Sequence, residues 1–327
     1  MARRLPRRLR RLAGTPGHHP GRHHLRARGG RVNPRTEQAL AGIDPAYVED
    51  LVTRALAEDL AGGVDVTSTS TVPADLVGTG AFTPRAAGVV AGLGAALAVL
   101  DVVLDDRLEV LSVGRDGDAA VPGTPVLEVR GPVRDLLTAE RTALNLLCHL
   151  SGIATLTRAW VDAVAGTGAA IRDTRKTTPG LRALEKAAVR AGGGVNHRMS
   201  LSDAALVKDN HVVAAGGVRE AFEAVRREFP GVPVEVECDT LDQVREVLEA
   251  GADLVLLDNM TLEETRACVA LCRERGVLTE ASGGLALTTA RAVAETGVDY
   301  LAIGALTHSA PVLDLGLDLR LDTKRMA

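Results

Sequence analysis

The amino-acid sequence predicts an α/β protein in two parts, an α+β domain followed by a parallel α/β barrel that is closed or nearly so. Three observations lead to this prediction. The chain has 327 residues, enough for two domains with real cores. Its first half carries short β-like runs broken by Gly and Pro. In its second half, apolar runs alternate with amphipathic helices at spacings of roughly 20–35 residues, which are typical of βα units.

Composition excludes several classes of protein. Hydrophobic residues make up 46% of the chain and charged residues 24%, as in ordinary globular proteins. No apolar run approaches the roughly 18–20 residues of a membrane helix, so we expect no membrane span. Aromatic residues are only 2%, which argues against stacking on single-stranded nucleic acid. Four cysteines are too few for a disulfide scaffold and indicate a reducing, cytoplasmic setting.

The net charge of −4 hides a division of the chain. Residues 1–36 contain 11 Arg and no acidic residue, which leaves 27 basic against 42 acidic residues in the rest. This leader has no hydrophobic periodicity, and we predict that it is a disordered basic extension. A targeting or nucleic-acid-binding arm is the alternative, although Pro6, Pro16 and Pro20 interrupt any helix and Ser is absent from the segment.

The elements of the first half follow from local signals. A helix begins at Asp44-Pro45 and runs to Leu60, with Asp at the cap and Pro in the first turn. After a polar run over 65–71, Gly and Pro separate β-like runs at 80–83, 88–91, 108–113 and 125–130. A long helical stretch from Pro132 to Val164 is expected to cross from one domain to the other.

These elements give the predicted domain boundaries. We expect the N-terminal domain over 37–137, with 309–327 as a candidate addition to it, and the barrel over 138–308. The predicted strands of the barrel are 170–173, 205–208, 234–238, 254–258, 278–281 and 300–303. The helices predicted between them are 218–229, 241–250, 262–275 and 288–296.

Polar or small residues stand where the barrel strands stop: Asp173, Lys208, Glu237, Asp258, Ser282 and Gly304. In parallel barrels the active site lies at the carboxyl ends of the strands, so we expect it there. A cationic group surrounds this end: Arg172, Arg175, Lys176, Arg182, His197, Arg198 and Lys208. Guanidinium groups suit planar carboxylates and Lys suits phosphate, whereas solvated surface charge is the alternative. Only four residues are Lys (Lys176, Lys186, Lys208, Lys324), so a Lys in a motif suggests a need for a compact charge.

Two further groups predict ligands of other kinds. Glu235 and Glu237 share one face of a strand, and Glu237 with Asp258 could hold Mg²⁺ or a ribose, with a salt bridge to the basic group as the alternative. The turns Ser282-Gly283-Gly284 and Gly304-Ala305 at successive strand ends favour a phosphate site. His308, just beyond, would contact a phosphate or cap the next segment. Cys268 and Cys272 are interpreted as core packing rather than a zinc site.

Several motifs, all in order between about Ile43 and Leu319, resemble the quinolinate phosphoribosyltransferase family, also called nicotinate-nucleotide pyrophosphorylase (carboxylating). They are Glu140-Arg-Thr-Ala-Leu-Asn145, Leu150-Ser-Gly-Ile-Ala-Thr155, Asp173-Thr-Arg-Lys-Thr-Thr-Pro-Gly-Leu-Arg182, Gly192-Gly-Gly-Val-Asn-His-Arg198, Lys208-Asp-Asn-His211, Leu257-Asp-Asn259, Glu280-Ala-Ser-Gly-Gly284 and Gly304-Ala-Leu-Thr-His-Ser309. The leader has no counterpart in the family, and Ala187 stands where a Tyr is common.

The resemblance implies a fold and a reaction. The fold would be an N-terminal α/β sandwich domain joined to an incomplete parallel α/β barrel of the type II phosphoribosyltransferase kind, assembled as a homodimer or hexamer. Phosphoribosyl pyrophosphate would react with quinolinate to give nicotinate mononucleotide, pyrophosphate and CO₂ for NAD biosynthesis, with Mg²⁺ as cofactor. No membrane and no nucleic acid would be required.

The resemblance also implies roles for single residues. Both quinolinate carboxylates would be bound by Arg175, His197, Arg198 and Lys208, and Arg141 would reach the site of the neighbouring subunit. Lys176 would meet the phosphoribosyl substrate, and Glu237 and Asp258 its ribose and Mg²⁺. The catalytic set would be Lys176, Lys208, Glu237 and Asp258. The 5′-phosphate would be held by Ser282, Gly283, Gly284, Gly304 and His308.

Two rival functions follow from the same sequence. One is a sibling phosphoribosyltransferase-like protein, either a molybdenum-transport-associated homologue or a non-carboxylating nicotinate enzyme. Four cationic side chains suited to a dicarboxylate argue against it. The other is a nucleic-acid-binding protein that uses the basic leader on an inert barrel. The acidic body would repel phosphate backbones, and the leader alone would bind weakly and in a salt-sensitive way.

Overall fold

The computed structural model describes residues 33–322. The helices are α1 Pro34–Ala39, α2 Pro45–Leu60, α3 Val66–Thr71, α4 Leu93–Leu104, α5 Val133–Ala163, α6 Arg182–Ala191, α7 Asp209–Ala215, α8 Val218–Glu228, α9 Leu241–Glu249, α10 Leu262–Glu274, α11 Ala290–Ala294 and α12 Ala305–His308. The strands are β1 Val77–Pro84, β2 Gly88–Val89, β3 Glu109–Val113, β4 Ala119–Ala120, β5 Leu127–Pro132, β6 Ala170–Arg172, β7 Ala205–Val207, β8 Val234–Cys238, β9 Leu254–Asp258, β10 Leu278–Ser282, β11 Tyr300–Ala302 and β12 Leu315–Leu321. None of these helices is both long and apolar enough to cross a membrane.

Most of the predicted leader lies outside the described residues, but its last residues are ordered. The predicted boundary at residue 36 is too late, because α1 begins at Pro34 behind the cap residue Asn33. Thr36 is buried, and its hydroxyl donates a 2.6 Å hydrogen bond to Asp101 on α4. A buried polar contact of this kind fixes the start of the folded chain before residue 36.

An antiparallel sheet of four strands, in the order β12-β1-β5-β3, forms one side of the N-terminal part. The last strand, β12, returns from the end of the barrel and pairs with β1, so that Phe82 faces Leu317 on one side and Leu127 on the other. Helices α4 and α5 cover this sheet and supply much of its core. This is the sandwich architecture that the family resemblance implies.

Helix α4 is the main element that sequence analysis did not predict. Nearly all of its side chains are buried, from Leu93 to Leu104. A helix buried on every side has no polar face, so no helical periodicity marks it in the sequence. Its first amide groups, those of Gly92 and Leu93, donate to the carboxylate of Asp116 at 2.9 and 3.1 Å.

Helix α5 joins the two parts of the molecule, as the long predicted stretch requires. It is 31 residues long and packs against α4 on one side and α6 on the other. Near its middle, a side chain at Gly152 would place Cβ only 2.1 Å from the carbonyl oxygen of Pro311. Glycine there lets the chain that leads to β12 cross directly over the helix.

Six parallel strands form the second sheet, in the order β6-β11-β10-β9-β8-β7. Among the described residues the outer strands β6 and β7 do not pair with each other, so the barrel is incomplete, as the resemblance implies. A single bridge between Arg172 and Val195 extends the β6 edge. Each of the six strands lies within two residues of its predicted bounds, and α8 to α11 match the predicted helices.

Candidate active site at the carboxyl end of the parallel sheet

A buried ion pair forms the base of the candidate site. Asp173 directly follows β6, and its carboxylate accepts hydrogen bonds from the ammonium group of Lys186 on α6 and, at 2.8 Å, from the amide of His197. Lys186 also donates to the carbonyl of His197 at 2.9 Å. Asp173 and Lys186 are both fully buried. The pair therefore fixes the position of the loop that carries His197 and Arg198 relative to β6.

His197 itself is buried, and both of its ring nitrogens face protein atoms. Nδ1 accepts a 2.7 Å hydrogen bond from the amide of Arg198, so the proton of the neutral ring belongs on Nε2. Nε2 lies 2.8 Å from an oxygen of Glu235 and 3.7 Å from an oxygen of Glu280. Although it lies close to these carboxylates, Nε2 makes no hydrogen bond among the described residues.

Glu235 and Glu280 form an acidic cluster with Arg172 and His197 inside the barrel. Arg172 donates to Glu280 at 2.7 Å and stacks on the ring of Tyr300. Both oxygens of Glu235 and one of Glu280 are buried without a hydrogen-bond partner among the described residues. Burial, followed by the charge of Glu235, raises the pKa of Glu280 to about 8. From the sequence, Glu235 was noted only because it shares one face of a strand with Glu237, and the contact of Glu280 with Arg172 was not predicted.

The predicted cationic side chains differ in their surroundings. Arg198 borders a cavity that His197 and Glu235 also line, and it donates to the carbonyl of Ala204 at 2.8 Å. Arg175 and Arg198 are half-buried and near each other, and Lys208 is exposed. Desolvation, and then the positive charge of Arg175, lowers the pKa of Arg198. Two neighbouring guanidinium groups that disfavour each other's charge gain stability when an anion binds between them. Arg182 instead donates to the hydroxyl of Thr177 and to the carbonyl of Met199. It therefore links the loops that carry these two residues and does not join Arg175 and Arg198.

The predicted acidic pair, Glu237 and Asp258, comes from neighbouring strands β8 and β9. Glu237 is in register with Leu256, and Asp258 lies two residues further along β9, so the two carboxylates share one face of the sheet. Glu237 accepts from Lys208 at 2.9 Å, which is the salt bridge considered as the alternative. Asp258 accepts from the side chain of Asn259. Each carboxylate keeps one oxygen without a hydrogen bond among residues 33–322, and such a donor set fits a hydrated Mg²⁺.

The predicted phosphate turns are shaped by close contacts. Gly283 has φ of +87°, and a Cβ there would lie 2.2 Å from the side-chain oxygen of Asn259. At Gly304 a Cβ would lie 2.9 Å from Lys176 and 3.3 Å from His308, so these two side chains converge on a bare backbone. Thr307 holds Lys176 in place by donating to its carbonyl at 2.8 Å. Two cationic or hydrogen-bonding groups beside glycine backbone are suited to phosphate.

Arg141 stands apart from these groups. It is exposed on α5, and no hydrogen bond or ion pair of the described chain joins it to the strand ends.

A second group of buried side chains, which was not predicted from the sequence, holds the loop that carries Arg175 and Lys176. Glu185 on α6 is fully buried and accepts from the amide of Thr178 at 3.0 Å, while His149 on α5 lies 2.8 Å from its other oxygen. The available signal was the position of Glu185 on the apolar face of α6, four residues after Leu181 and four before Val189.

The remaining side chains noted in the sequence have structural surroundings. Cys268 and Cys272 are fully buried in the core, which confirms the packing interpretation. Burial raises the pKa of these thiols to about 11 and about 12. Ala187 lines a cavity of about 260 Å³ between the first turn of α4, α5 and α6, away from the strand ends.

The fold and the site together define a class of protein: a two-domain α/β-barrel enzyme with neighbouring guanidinium groups at Arg175 and Arg198 and glycine turns at Gly283 and Gly304. Comparison with known proteins gives the family. Residues 65–151 match the N-terminal domain of quinolinate phosphoribosyl transferase, and residues 153–318 match its C-terminal domain.

Individual relatives agree with this match. The chain is 56% identical over 273 residues to nicotinate-nucleotide pyrophosphorylase (carboxylating) of Mycobacterium leprae, covering 83% of this chain and 96% of the relative. It is 44% identical to the probable enzyme of the same name from Bacillus subtilis, covering 68% and 77%. The crystal structure of NadC from Streptococcus pyogenes superposes with a TM-score of 0.82 at 39% identity, covering 86% and 99%. The chain belongs to the quinolinate phosphoribosyltransferase family.

Proposed function

We propose that the carboxyl end of the parallel sheet is the active site for the reaction of this family. In that reaction the phosphoribosyl group passes from phosphoribosyl pyrophosphate to the ring nitrogen of quinolinate. The products are nicotinate mononucleotide, pyrophosphate and CO₂, and the product enters NAD biosynthesis. The residue assignment is supported by the neighbouring guanidinium groups of Arg175 and Arg198 and by the glycine turns at Gly283 and Gly304.

In this proposal the guanidinium groups of Arg175 and Arg198 bind the two quinolinate carboxylates, with Lys208 at the rim. The planar fork of Arg matches a carboxylate in two hydrogen bonds and so fixes the ring. His197 shares this pocket: its Nδ1 accepts from the amide of Arg198, whereas its Nε2 has no hydrogen-bond partner among the described residues. We therefore assign to His197 both the orientation of Arg198 and a contact with the substrate carboxylates.

The phosphoribosyl substrate would lie on the opposite side of the opening. Its 5′-phosphate is assigned to the backbone of Ser282, Gly283, Gly284 and Gly304 with the side chain of His308. Lys176, which lies against Gly304, would meet the phosphoribosyl pyrophosphate as a point charge. Glu237 and Asp258 face the space between the two substrates and would contact the ribose.

Mg²⁺ is the proposed cofactor, and Glu237 and Asp258 are the residues that would hold it, directly or through water. When bound, the ion would offset negative charge on the departing pyrophosphate. Lys208 lies 2.9 Å from Glu237 and competes for one of its oxygens, so the free oxygen is the proposed ligand. A Ca²⁺ ion coordinated mainly by protein oxygens needs more ligands than these two carboxylates, whereas Mg²⁺ usually keeps several water ligands.

The chemistry follows from charge. Departure of pyrophosphate leaves positive charge at the ribose carbon, which nearby carboxylates stabilise. The pyridine nitrogen then forms the new bond and becomes positive, which favours loss of the adjacent carboxylate as CO₂ because the electron pair left on the ring carbon is stabilised next to that nitrogen. That carbon then takes up a proton from water, which gives nicotinate mononucleotide. The cationic side chains of Arg175, Arg198 and Lys208 mainly orient the ring. In well-positioned reactions such orientation lowers the activation barrier by several kcal/mol, about 7–11 kcal/mol at the upper end. No side chain needs to form a covalent bond.

Two further features belong to this proposal. Arg141 is exposed on α5 and is assigned to the site of a neighbouring subunit, in a homodimer or hexamer. Cytoplasmic localisation is inferred from the four free cysteines, Cys148, Cys238, Cys268 and Cys272, which form no disulfide.

The direct test is an assay of purified protein with phosphoribosyl pyrophosphate, Mg²⁺ and either quinolinate or nicotinate, in which CO₂ and pyrophosphate are both measured. We expect equal amounts of CO₂ and pyrophosphate from quinolinate and at least about 100-fold slower pyrophosphate release with nicotinate, because nicotinate lacks the second carboxylate that orients the ring. Equal turnover of nicotinate would assign the chain to the non-carboxylating rival instead.

The nucleic-acid rival is tested on the leader. Residues 1–32 are the segment to remove, because Thr36 already contacts Asp101 in the folded chain. We expect unchanged turnover of quinolinate in the shortened protein, with any RNA binding lost. Loss of turnover on this deletion would show that the leader takes part in catalysis.

A further inference from the structure

The loop of residues 174–181 is fixed at both of its ends by α6. Just before the loop, Asp173 pairs with Lys186 on that helix. Near the end of the loop, the amide of Thr178 donates a 3.0 Å hydrogen bond to Glu185 on the same helix. Glu185 and Lys186 are both fully buried. Two consecutive residues of one helix therefore determine where the loop begins and where it ends.

Glu185 is a costly side chain to bury on this face of α6. In the part of the chain that the structure describes, its ion-pair contact is with His149 on α5, 2.8 Å away, rather than with a lysine or an arginine. Removing a carboxylate from water costs free energy, and an apolar side chain at this position would avoid that cost. The carboxylate is therefore explained by the work of its other oxygen, which accepts from the amide of Thr178.

A second contact holds the same end of the loop from the N-terminal part of the molecule. The hydroxyl of Tyr47 on α2 donates to the carbonyl of Gly180. Burial, followed by the charge of Glu185, raises the pKa of Tyr47, so its hydroxyl keeps the proton that it donates. Pro179 lies between Thr178 and Gly180, and its ring restricts its own backbone and that of the residue before it. This short segment is therefore stiff and is held at both of its ends.

The backbone of the loop connects this hold to the side chains that face the substrates. The amide of Thr177, next to Thr178, donates to the carbonyl of Arg175 at 2.9 Å. Lys176 has a separate hold, because its carbonyl accepts from the hydroxyl of Thr307 at 2.8 Å. A displacement of Thr178 is therefore expected to move Arg175 more than Lys176.

We propose that Glu185 is a positioning residue for the proposed reaction: through the amide of Thr178 it fixes the place of Arg175 and so the orientation of the quinolinate ring. Tyr47 and His149 complete this hold, and we call the three side chains Tyr47, His149 and Glu185 the loop anchor. The inference rests on the proposed function, in which Arg175 binds a substrate carboxylate. Because the loop anchor includes residues of α2 and α5, helices that precede the barrel take part in orienting the substrate without contacting it.

The first test compares Glu185→Leu with Glu185→Gln in the full-length protein. Leu offers no acceptor to the amide of Thr178, whereas Gln keeps a carbonyl oxygen there. In Glu185→Leu we expect kcat to fall about 30-fold and KM for quinolinate to rise about fivefold, because a displacement of about 1 Å can cost about 100-fold in rate. KM for phosphoribosyl pyrophosphate should change less than about twofold, since Lys176 keeps its own hold. Glu185→Gln should restore kcat to within about threefold of the wild type.

A milder change tests the contact from α2. Tyr47→Phe removes only the hydroxyl that donates to Gly180, and we expect kcat/KM for quinolinate to fall about fourfold with the melting temperature nearly unchanged. The double variant with Tyr47→Phe and Glu185→Leu should be no slower than Glu185→Leu alone, because the end of the loop is already released. Effects that multiply in the double variant would contradict a shared loop anchor.

The matched control is Asp101→Leu in the N-terminal part. The carboxylate of Asp101 on α4 also holds another segment, because it accepts from the amide of Asn33 at 3.3 Å and from the hydroxyl of Thr36 at 2.6 Å. This variant should lose melting temperature while kcat and both KM values stay within about twofold of the wild type. Two outcomes would overturn the proposal: kcat and KM for quinolinate unchanged in a folded Glu185→Leu protein, or an equal loss of kcat in Glu185→Leu and Glu185→Gln.

Hydrogen exchange provides a readout that does not depend on the reaction. Without substrates, the backbone amides of residues 174–181 should exchange at least about tenfold faster in Glu185→Leu than in the wild type, and at the wild-type rate in Asp101→Leu. Unchanged exchange in Glu185→Leu would contradict the proposal even if the wild type turns over quinolinate. Faster exchange in a protein that does not turn over quinolinate would leave the loop anchor in place and remove the proposed function alone.

Discussion

The two sheets of this protein differ in how far their ion pairs are exposed to solvent. On the antiparallel sheet, Arg85 pairs with Asp318 and Arg130 with Asp322 at 2.6 and 2.7 Å, and all four side chains are well exposed. On the parallel sheet, Asp173 pairs with Lys186 in complete burial, and Arg172 pairs with a fully buried Glu280. Both sheets therefore carry ion pairs of similar length, but only one of them removes the charges from water.

This difference in exposure decides what each ion pair contributes to the free energy of unfolding. Exposed pairs contribute little to stability, because water screens them and long side chains lose freedom when they pair. Buried pairs cost desolvation free energy, and well-packed apolar residues often replace them without loss. The buried Asp173–Lys186 pair bonds the backbone of His197, so its role is to position the loop that carries His197 and Arg198.

The largest effect is expected from breaking the buried pair. Lys186→Met leaves the carboxylate of Asp173 buried with only the His197 amide and Asn196 as donors. We expect a loss of about 3–5 kcal/mol in the free energy of unfolding, measured by urea titration. The double variant Asp173→Asn with Lys186→Met should recover most of this loss.

The matched change on the other sheet is Arg130→Ala, which removes the exposed contacts to Asp322 and Glu109. We expect no measurable change in the urea midpoint. If Arg130→Ala destabilised the protein as much as Lys186→Met, the contrast between the two sheets would be wrong.

The next effect is on turnover. Arg175→Ala or Lys208→Ala should reduce kcat/KM by at least about 100-fold while the melting temperature stays near the wild-type value, because an orienting charge is lost from the pocket. Arg85→Ala on the antiparallel sheet is the control and should keep its activity. Near-normal turnover in a folded Arg175→Ala protein would remove the site assignment.

A smaller effect is expected at the phosphate turn. Gly283→Ala places a methyl group against the side chain of Asn259 at a positive φ, so the turn must shift. We expect KM for phosphoribosyl pyrophosphate to rise about tenfold, with KM for quinolinate changed less. Gly251→Ala is the control, because Gly251 also has a positive φ, meets nothing within 4 Å and lies outside the proposed phosphate site. An equal effect of the two substitutions on KM for phosphoribosyl pyrophosphate would mean that general backbone strain, rather than the contact with Asn259, is responsible.

Sequence patterns predicted the parallel sheet better than the N-terminal part. The barrel strands are short apolar runs between amphipathic helices. The spacing of the apolar residues in such a helix shows which face is buried, as in α8 and α9. Helix α4 is buried on all sides and carries no such signal. The polar run that follows Asp65 forms α3, a short helix that begins behind the Asp65 cap.

The candidate site depends on the sequence for a similar reason. Residues at strand ends are visible in a sequence, and the structure has Glu237 in β8, Asp258 in β9 and Gly304 shortly after β11. The scarcity of Lys did not single out Lys186, which is the buried partner of Asp173. The partners of His197 were not predictable, because they depend on which side chains meet inside the barrel.

The central claim is that the charges buried at the end of the parallel sheet support a binding site for a dicarboxylate. The most direct measurement is a crystal structure of the protein with quinolinate. We predict that the two ring carboxylates contact Arg175 and Arg198 at the carboxyl end of the parallel sheet, with the ring nitrogen facing Glu237 and Asp258. Quinolinate bound elsewhere, with Arg175 and Arg198 left without a ligand, would contradict the account.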